Sequence, residues 1–231
     1  MNASPISDAT TASMSTASMR EETLPGACAK REQILEGARR RFLAVGFEAA
    51  SMETIAREAG VSKGTLYVYF PNKEALFIAL VEESKRQTAE HLTALDPAGA
   101  PEEVLTRYAV DLITRLLEPE HIALVRMVVG VADRIPAPAQ SFFEAGPVAG
   151  ARRIAAYFAQ LVAAGRLDMP DVEAAAWQFL SLCTHPVMVR TLMAADREPT
   201  AEVITAHARR SAAMIFAAYP LGHAERAAQA G

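Results

Sequence analysis

Residues 51–80, SMETIAREAGVSKGTLYVYFPNKEALFIAL, decide the fold of the N-terminal part of the chain. Ser51 is of a type that caps helix N-termini, and Gly60 favours the left-handed conformation that ends a helix. Ser62 is placed to start a new helix directly after this turn, and Pro71 ends it. The pattern therefore predicts two short helices joined by a tight turn, followed by a long third helix.

The second short helix has an unusual predicted surface. Leu66 and Phe70 are four residues apart and face inward together. The other positions hold two tyrosines, a valine and a glycine, which suit DNA base edges and phosphates better than plain solvent. With the two capping serines and a lysine at the next helix N-terminus, the candidate DNA contacts are Ser51, Ser62, Lys63, Gly64, Thr65, Tyr67, Val68, Tyr69 and Lys73. The alternative for Lys73 is an ordinary solvated lysine.

The composition favours a helical protein without a membrane span. The chain has 231 residues, of which 51% are hydrophobic and 6% aromatic. Ala and Leu are abundant and β-branched runs are scarce, which predicts an all-α fold. No apolar run reaches the roughly 18 residues that span a bilayer, and the N-terminus lacks the regions of a secretory signal. We therefore expect a cytoplasmic protein, without a membrane partner or a cofactor, whose residues 1–28 form a disordered arm.

The charge is distributed unevenly along the chain. The net charge is −4, yet residues 30–75 contain eight basic and six acidic side chains. A basic N-terminal part on an acidic remainder fits a protein that presents one end to a polyanion.

Residues 30–80 resemble the DNA-binding domain of the TetR/AcrR family of transcriptional regulators. The resemblance rests on the run Ile55–Tyr67, on Tyr69-Phe70, on Asn72–Glu74 and on Leu76-Phe77. Family members commonly carry Ser or Thr at both positions before the second helix. This chain has Ala50-Ser51 there and lacks one of the two hydroxyls.

The resemblance implies an all-α architecture of about nine helices in two domains. A helix-turn-helix DNA-binding domain is expected at residues 29–75 and a ligand-binding and dimerisation domain at residues 76–220, followed by a frayed tail at 221–231. The helix from Lys73 to about Ala94 would connect the two domains.

Prolines and glycines divide the C-terminal part into helices. The predicted helices start at Pro101 and Pro119, break at Pro136 and Pro138, and resume as a short piece at 141–145 that Gly146 ends. The next helix runs from Pro147 to about Ala164. A long helix at 171–194 is expected to be interrupted at His185-Pro186, and a last helix follows Pro199.

The stretch Arg126–Leu192 is similar to the AefR-like C-terminal domain found in part of this family, which implies a small-molecule site among the middle helices. A mostly apolar pocket with a few polar groups is typical of such sites. The candidate ligand contacts are Tyr108, His121, Arg126, Phe142, Phe143, Tyr157 and Trp177. The alternative for each is an ordinary place in the hydrophobic core.

The last two helices are too apolar for the surface of a monomer, and in the family the equivalent helices form a twofold dimer interface. Burial of the pair within one subunit is the alternative. Cys28 and Cys183 suggest neither a disulfide framework nor a zinc motif. Cys183 and His185, two adjacent ligand types on one helix, make a poor zinc site.

These observations predict a homodimeric repressor that binds a palindromic operator and is released by a small apolar or amphipathic effector. A helical ligand-binding or scaffold protein with a non-functional DNA-binding domain is one alternative. An all-α enzyme is the other, but no acid, base or nucleophile constellation and no nucleotide-binding glycine loop is present. The candidates Asp111, Asp133, His121 and His185 are scattered along the chain.

Overall fold

The computed structural model describes residues 25–194, 199–219 and 222. The regular structure of this part is helical, which confirms the predicted all-α class, and consists of nine helical segments. They are α1 (Pro25–Ala49), α2 (Met52–Ala59), α3 (Lys63–Tyr69), α4 (Lys73–Glu90), α5 (Pro101–Leu116), α6 (Pro119–Val131), the pair α7 (Pro136–Phe143) and α8 (Ala149–Ala163), α9 (Val172–Leu192) and α10 (Ala201–Ala218). A π-helical turn (Glu144–Val148) joins α7 to α8 without a break, so these two count as one segment.

The chain divides into two compact units between Leu76 and Phe77, inside α4. None of the helices in the described ranges has an apolar stretch long enough to cross a bilayer. The predicted N-terminal arm lies outside the described residues as far as position 24. The prediction also placed residues 25–28 in the arm, but the structure places them in α1. Pro25 is compatible with this, because proline is tolerated in a first helical turn. Of the predicted tail, the structure describes Gly222, whose N–H donates to Arg166 O at 2.8 Å.

In the N-terminal unit, α1 and α2 pack at very short range. Gly37 of α1 allows this, because a Cβ at that position would lie 2.5 Å from the Cα of Ala59. Gln33 Nε2 donates to Ala59 O at 2.7 Å beside this contact. Gly46 forms a local break in α1, with φ 77° and ψ 169°, after which the helix continues to Ala49.

The core of the C-terminal unit lies among α5, α8, α9 and α10. Its largest fully buried side chains are Tyr108, Tyr157, Phe158 and Phe179. α5 and α10 contribute small residues such as Ala109 and Ala208 to the same core, which lets the helices approach closely.

Two of the three predicted interruptions in this unit are wrong. The break before Pro136 is present: α6 ends at Val131, and Pro136 and Pro138 lie in the first turn of α7, where a missing N–H costs no intrahelical bond. The helix does not end at Gly146, because Pro147 is accommodated in a π-helical turn. α9 likewise continues through Pro186 to Leu192.

Candidate functional site

The helix-turn-helix is held by local caps that follow the sequence prediction. Ser51 Oγ accepts from Thr54 N at 3.2 Å and Thr54 Oγ1 accepts from Ser51 N at 3.1 Å, which forms a reciprocal capping box. Gly60 adopts φ 65° and ψ 35° and ends α2. Ser62 Oγ accepts from Thr65 N at 3.0 Å and caps α3. Both predicted capping serines are therefore confirmed as caps.

The outer face of α3 presents apolar and aromatic side chains to solvent. Leu66 is fully buried, whereas Tyr67 is 44% exposed and Val68 is 73% exposed. Lys63 and Gly64 are exposed, and Thr65 and Tyr69 are half-buried at the edges of the same helix. Tyr67 and Val68 therefore form a small exposed apolar surface on α3 that another molecule could contact.

Gly64 has no internal reason to be glycine. A Cβ at this position would meet only Ser62 Oγ, at 3.8 Å, and its backbone is helical. Glycine in a helix is less stable than alanine by about 1 kcal/mol. A glycine on an exposed helix leaves room for another molecule to approach the backbone closely.

Lys73 has a role that the sequence did not predict. Its Nζ donates to three backbone carbonyls at the end of α1, those of Phe47 at 2.8 Å, Ala50 at 3.1 Å and Glu48 at 3.3 Å. The ammonium also lies 4.3 Å from the centroid of the Phe47 ring. All three of its hydrogens are thus used within the N-terminal unit, and a phosphate contact would require it to release a carbonyl.

The C-terminal unit encloses a cavity of about 360 Å³ between α4, α5, α6, α7, the π-helical turn, α8 and α9. Four of the seven predicted ligand contacts line it: Tyr108, His121, Phe142 and Trp177. The remaining wall is mainly aliphatic, with polar groups from Thr88, Ser181 and Thr184. Its size and its apolar lining with a few polar groups are those of a small-molecule site.

The other three predicted ligand contacts lie elsewhere. Arg126 is exposed and donates to Thr191 O and Leu192 O, where it caps the end of α9. Phe143 is 51% exposed and its ring stacks on Trp177 with 6.1 Å between centroids. Tyr157 is buried in the core beside Phe158. On a helix, neighbours in sequence face different directions, so Phe142 lines the cavity and Phe143 does not.

Two cationic residues of the cavity wall, Lys85 and Arg153, were not predicted from the sequence. Lys85 is 5% exposed and follows Phe77 and Val81 at intervals of four on the buried stripe of α4. The helical period calls for an apolar residue at this position, so a lysine there was a signal from which the sequence could have predicted its role.

Burial shifts the titration of the groups around this cavity. It lowers the pKa of Lys85 to about 7, because the charged amine loses its hydration. Burial, reinforced by the positive charge of Lys85, lowers the pKa of His121 to about 3. Burial also raises the pKa of Tyr108. At neutral pH the histidine and the tyrosine are therefore uncharged.

α9 and α10 expose apolar side chains along the outside of the C-terminal unit. Met193 is 74% exposed, and Val203 and Met214 are 55% and 56% exposed. His207 Nε2 lies 3.0 Å from Cys183 O and ties the two helices together.

In the part of the chain that the structure describes, no three His, Cys, Asp or Glu side chains gather where they would hold a metal ion. Cys183 is buried, and burial raises the pKa of its thiol to about 12. His185, by contrast, is exposed, so these two residues do not form a common site.

Family models match both units. The model of the bacterial regulatory proteins of the tetR family matches residues 34–80. The model of the AefR-like transcriptional repressor C-terminal domain matches residues 103–220, about half of the chain.

Solved structures and curated proteins with similar sequences are regulators as well. A TetR-family transcriptional regulator from Mesorhizobium loti is 28% identical with a TM-score of 0.78, over 83% of this chain and 97% of that one. The Flavonoid-responsive Regulator FrrA is 32% identical with a TM-score of 0.74, over the same shares, 83% and 97%. The HTH-type transcriptional repressor AcnR of Corynebacterium diphtheriae is 41% identical over 61 residues, 26% of this chain. This chain spans about a third of the length of such curated relatives, 32% for AcnR.

Proposed function

The chain belongs to the TetR family of bacterial regulatory proteins, and on this premise we propose that it is a ligand-released transcriptional repressor. Two copies would bind a palindromic DNA operator in the cytoplasm, where the chromosome lies, and would leave it when a small molecule occupies the cavity. The observation that carries the proposal is the outer face of α3. Tyr67 and Val68 are exposed there, and such side chains contact base edges and thymine methyl groups.

Operator recognition by a dimer follows from the geometry of DNA. Half-sites repeat with the helical period of the duplex, so two copies of α3 must be held at a fixed separation. The exposed apolar side chains of α9 and α10 support these helices as the contact between copies, because large apolar patches on a soluble protein mark interaction surfaces. Membership of a family of regulators argues against the alternative of an enzyme.

For an effector to release the protein from its operator, some part of the chain must take part in both DNA binding and ligand binding. Lys85, Thr88 and Ala89 of α4 line the cavity, and the first turn of α4 belongs to the N-terminal unit. A ligand that binds more tightly to one arrangement of α4 shifts the population towards that arrangement. Operator affinity then falls by the ratio of the ligand's affinities for the two states, since coupling is reciprocal.

Footprinting on the DNA that flanks the chain's own gene tests the proposal. We expect a protected palindrome, with affinity that falls steeply as salt concentration rises. Flavonoids are the first effectors to add, because the similar solved protein FrrA is a flavonoid-responsive regulator. A chain that protects no specific sequence at low salt would instead be a helical ligand-binding or scaffold protein.

Gly64→Ala should stabilise the protein and weaken its operator complex. The added methyl group meets open space in the free chain, so the free energy of unfolding should rise by about 0.5–1 kcal/mol. If DNA packs against this backbone, operator affinity should fall roughly tenfold, because a methyl group without room costs about 1–3 kcal/mol. Thermal denaturation and fluorescence anisotropy measure the two effects.

Gly130→Ala is the matched control, since Gly130 is also helical and a Cβ there meets no atom within 4 Å. That variant should leave operator affinity unchanged. If Gly64→Ala also bound the operator normally, DNA would not approach this face of α3.

A further inference from the structure

Lys85 is a buried cation without a counter-charge in the described structure. Its ammonium lies 3.5 Å from the centroid of the Phe142 ring, and no ion pair or hydrogen bond accompanies this contact among the described residues. The charged side chains in the cavity wall are Lys85 and Arg153, and neither is acidic. Buried lysines are usually paired, because an unpaired buried charge is costly. The cavity therefore has a positive charge to offer to a ligand.

Tyr108 provides a second buried polar group in the same wall. Its side chain is fully buried, and its hydroxyl has no hydrogen-bond acceptor in the described part of the chain. The Arg153 guanidinium acts on this hydroxyl, but an arginine donates and does not accept, so the O–H of Tyr108 is left to find an acceptor in the cavity. The Tyr108 hydroxyl is protonated at neutral pH, because burial raises its pKa, and it is therefore able to donate to an acceptor.

Aromatic rings and the glycine of the π-helical turn shape the space around the Lys85 ammonium. The rings of Phe142 and His121 lie 6.0 Å apart, and Trp177 lines the same cavity. A Cβ on Gly146 would lie 3.2 Å from Cδ and Cε of Lys85. The glycine of the π-helical turn thus leaves room for the lysine stem, and π-helical turns are frequent at functional sites. Flat rings are the shapes that pack best between such side chains.

These observations deepen the proposed function and rest on it. We propose that the effector is a planar aromatic acid, a carboxylate or an acidic phenol, which binds as its anion. The anion pairs with the Lys85 ammonium and accepts a hydrogen bond from Tyr108, while the ring system packs against Phe142 and Trp177.

Proton uptake is a consequence that calorimetry detects. Burial lowers the pKa of Lys85 to about 7, so at about pH 8 the free protein holds this amine mostly neutral. An anion beside it favours the charged form and raises its pKa. The other groups with shifted pKa values that face the cavity, His121 and Tyr108, stay neutral at this pH. Binding of an anion should therefore take up a proton at Lys85.

Isothermal titration of the full-length protein with matched probes tests the inference. One pair is β-naphthoate and β-naphthamide, which tests a carboxylate. The other is a hydroxyflavone and its methyl ether, which tests a phenol. We expect at least one acid to bind about tenfold or more tightly than its neutral partner. Its enthalpy at about pH 8 should depend on the buffer in the way that uptake of a proton requires.

Variants at Lys85 complete the design. Lys85→Met should lose the preference for the acid over its neutral partner and take up no proton. Lys85→Arg keeps the charge and should keep part of the preference. The wild-type comparison of acid with neutral probe does not depend on whether a variant folds.

Equal binding of acids and neutral probes, or an acid preference that persists in Lys85→Met, would overturn the inference. If the neutral probes bind and cause the protein to leave the operator, the inference is overturned but the proposed function stays intact. A panel in which no acid binds would also overturn it. Operator footprinting without effector then decides separately whether the chain is a DNA-binding regulator.

Discussion

Lys73→Met should lower the free energy of unfolding of the N-terminal unit by about 2–3 kcal/mol, since hydrogen bonds from a charged donor contribute about 1.5–3 kcal/mol. The variant removes the ammonium from Phe47 O, Glu48 O and Ala50 O and from the Phe47 ring. Hydrogen exchange of the α1 and α2 backbone amides in the full-length chain measures the effect. The salt dependence of operator binding should stay unchanged, because the ammonium is committed within the protein.

Lys63→Met is the matched control, because it removes the same charge from an exposed position of α3. There we expect unchanged stability and a salt slope that is smaller by about one unit, as for the loss of one phosphate contact. If Lys73→Met lowered the salt slope and left the amides protected, the sequence-based prediction of a phosphate contact at Lys73 would be right and the carbonyl contacts would be incidental.

Gly37→Ala should also destabilise the N-terminal unit by about 2–3 kcal/mol, because overpacking of a close contact usually costs that much. The new methyl group would lie 2.5 Å from the Cα of Ala59. This is a backbone atom, so α2 must move as a whole to relieve the overlap. Operator affinity should fall with it, because Gly60 and Ser62, which set the turn into α3, directly follow the displaced residue. Thermal denaturation and anisotropy measure both effects.

Gly64→Ala provides the comparison, since it makes the same chemical change in the same unit at a position with open space. The two variants should change stability in opposite directions. A Gly37→Ala protein as stable as the wild type would mean that α1 and α2 tolerate a wider separation.

Local sequence signals were sufficient to predict the N-terminal unit. Ser51, Gly60 and Ser62 act within four residues of their own position, so a contiguous stretch contains all the information about the caps and the turn. The carbonyl contacts of Lys73 could not be predicted, because its partners lie 23–26 residues earlier in the chain. An end-of-helix carbonyl cluster leaves no mark in the sequence near the lysine that it holds.

The cavity was only partly predictable, because residues far apart in sequence build its wall. Tyr108, His121, Phe142 and Trp177 were found as aromatic or polar residues on apolar helices, and the same reasoning included Arg126 and Phe143, which lie outside the cavity wall. The orientation of a side chain depends on the phase of its helix, and the π-helical turn changes that phase in a way that composition does not indicate.

The π-helical turn Glu144–Val148 also gives this protein a route by which its ligand preference can change in evolution. A π turn holds one more residue than an α turn, and each residue of an α-helix advances the chain by about 100°. Deletion of a single residue within 144–148 would restore α-helical geometry and rotate α7 by about that angle relative to α8. Phe142 would leave the cavity wall and another α7 side chain would replace it, while the buried residues of α8 stayed in place. One deletion would therefore exchange the ring above Lys85 without altering the core.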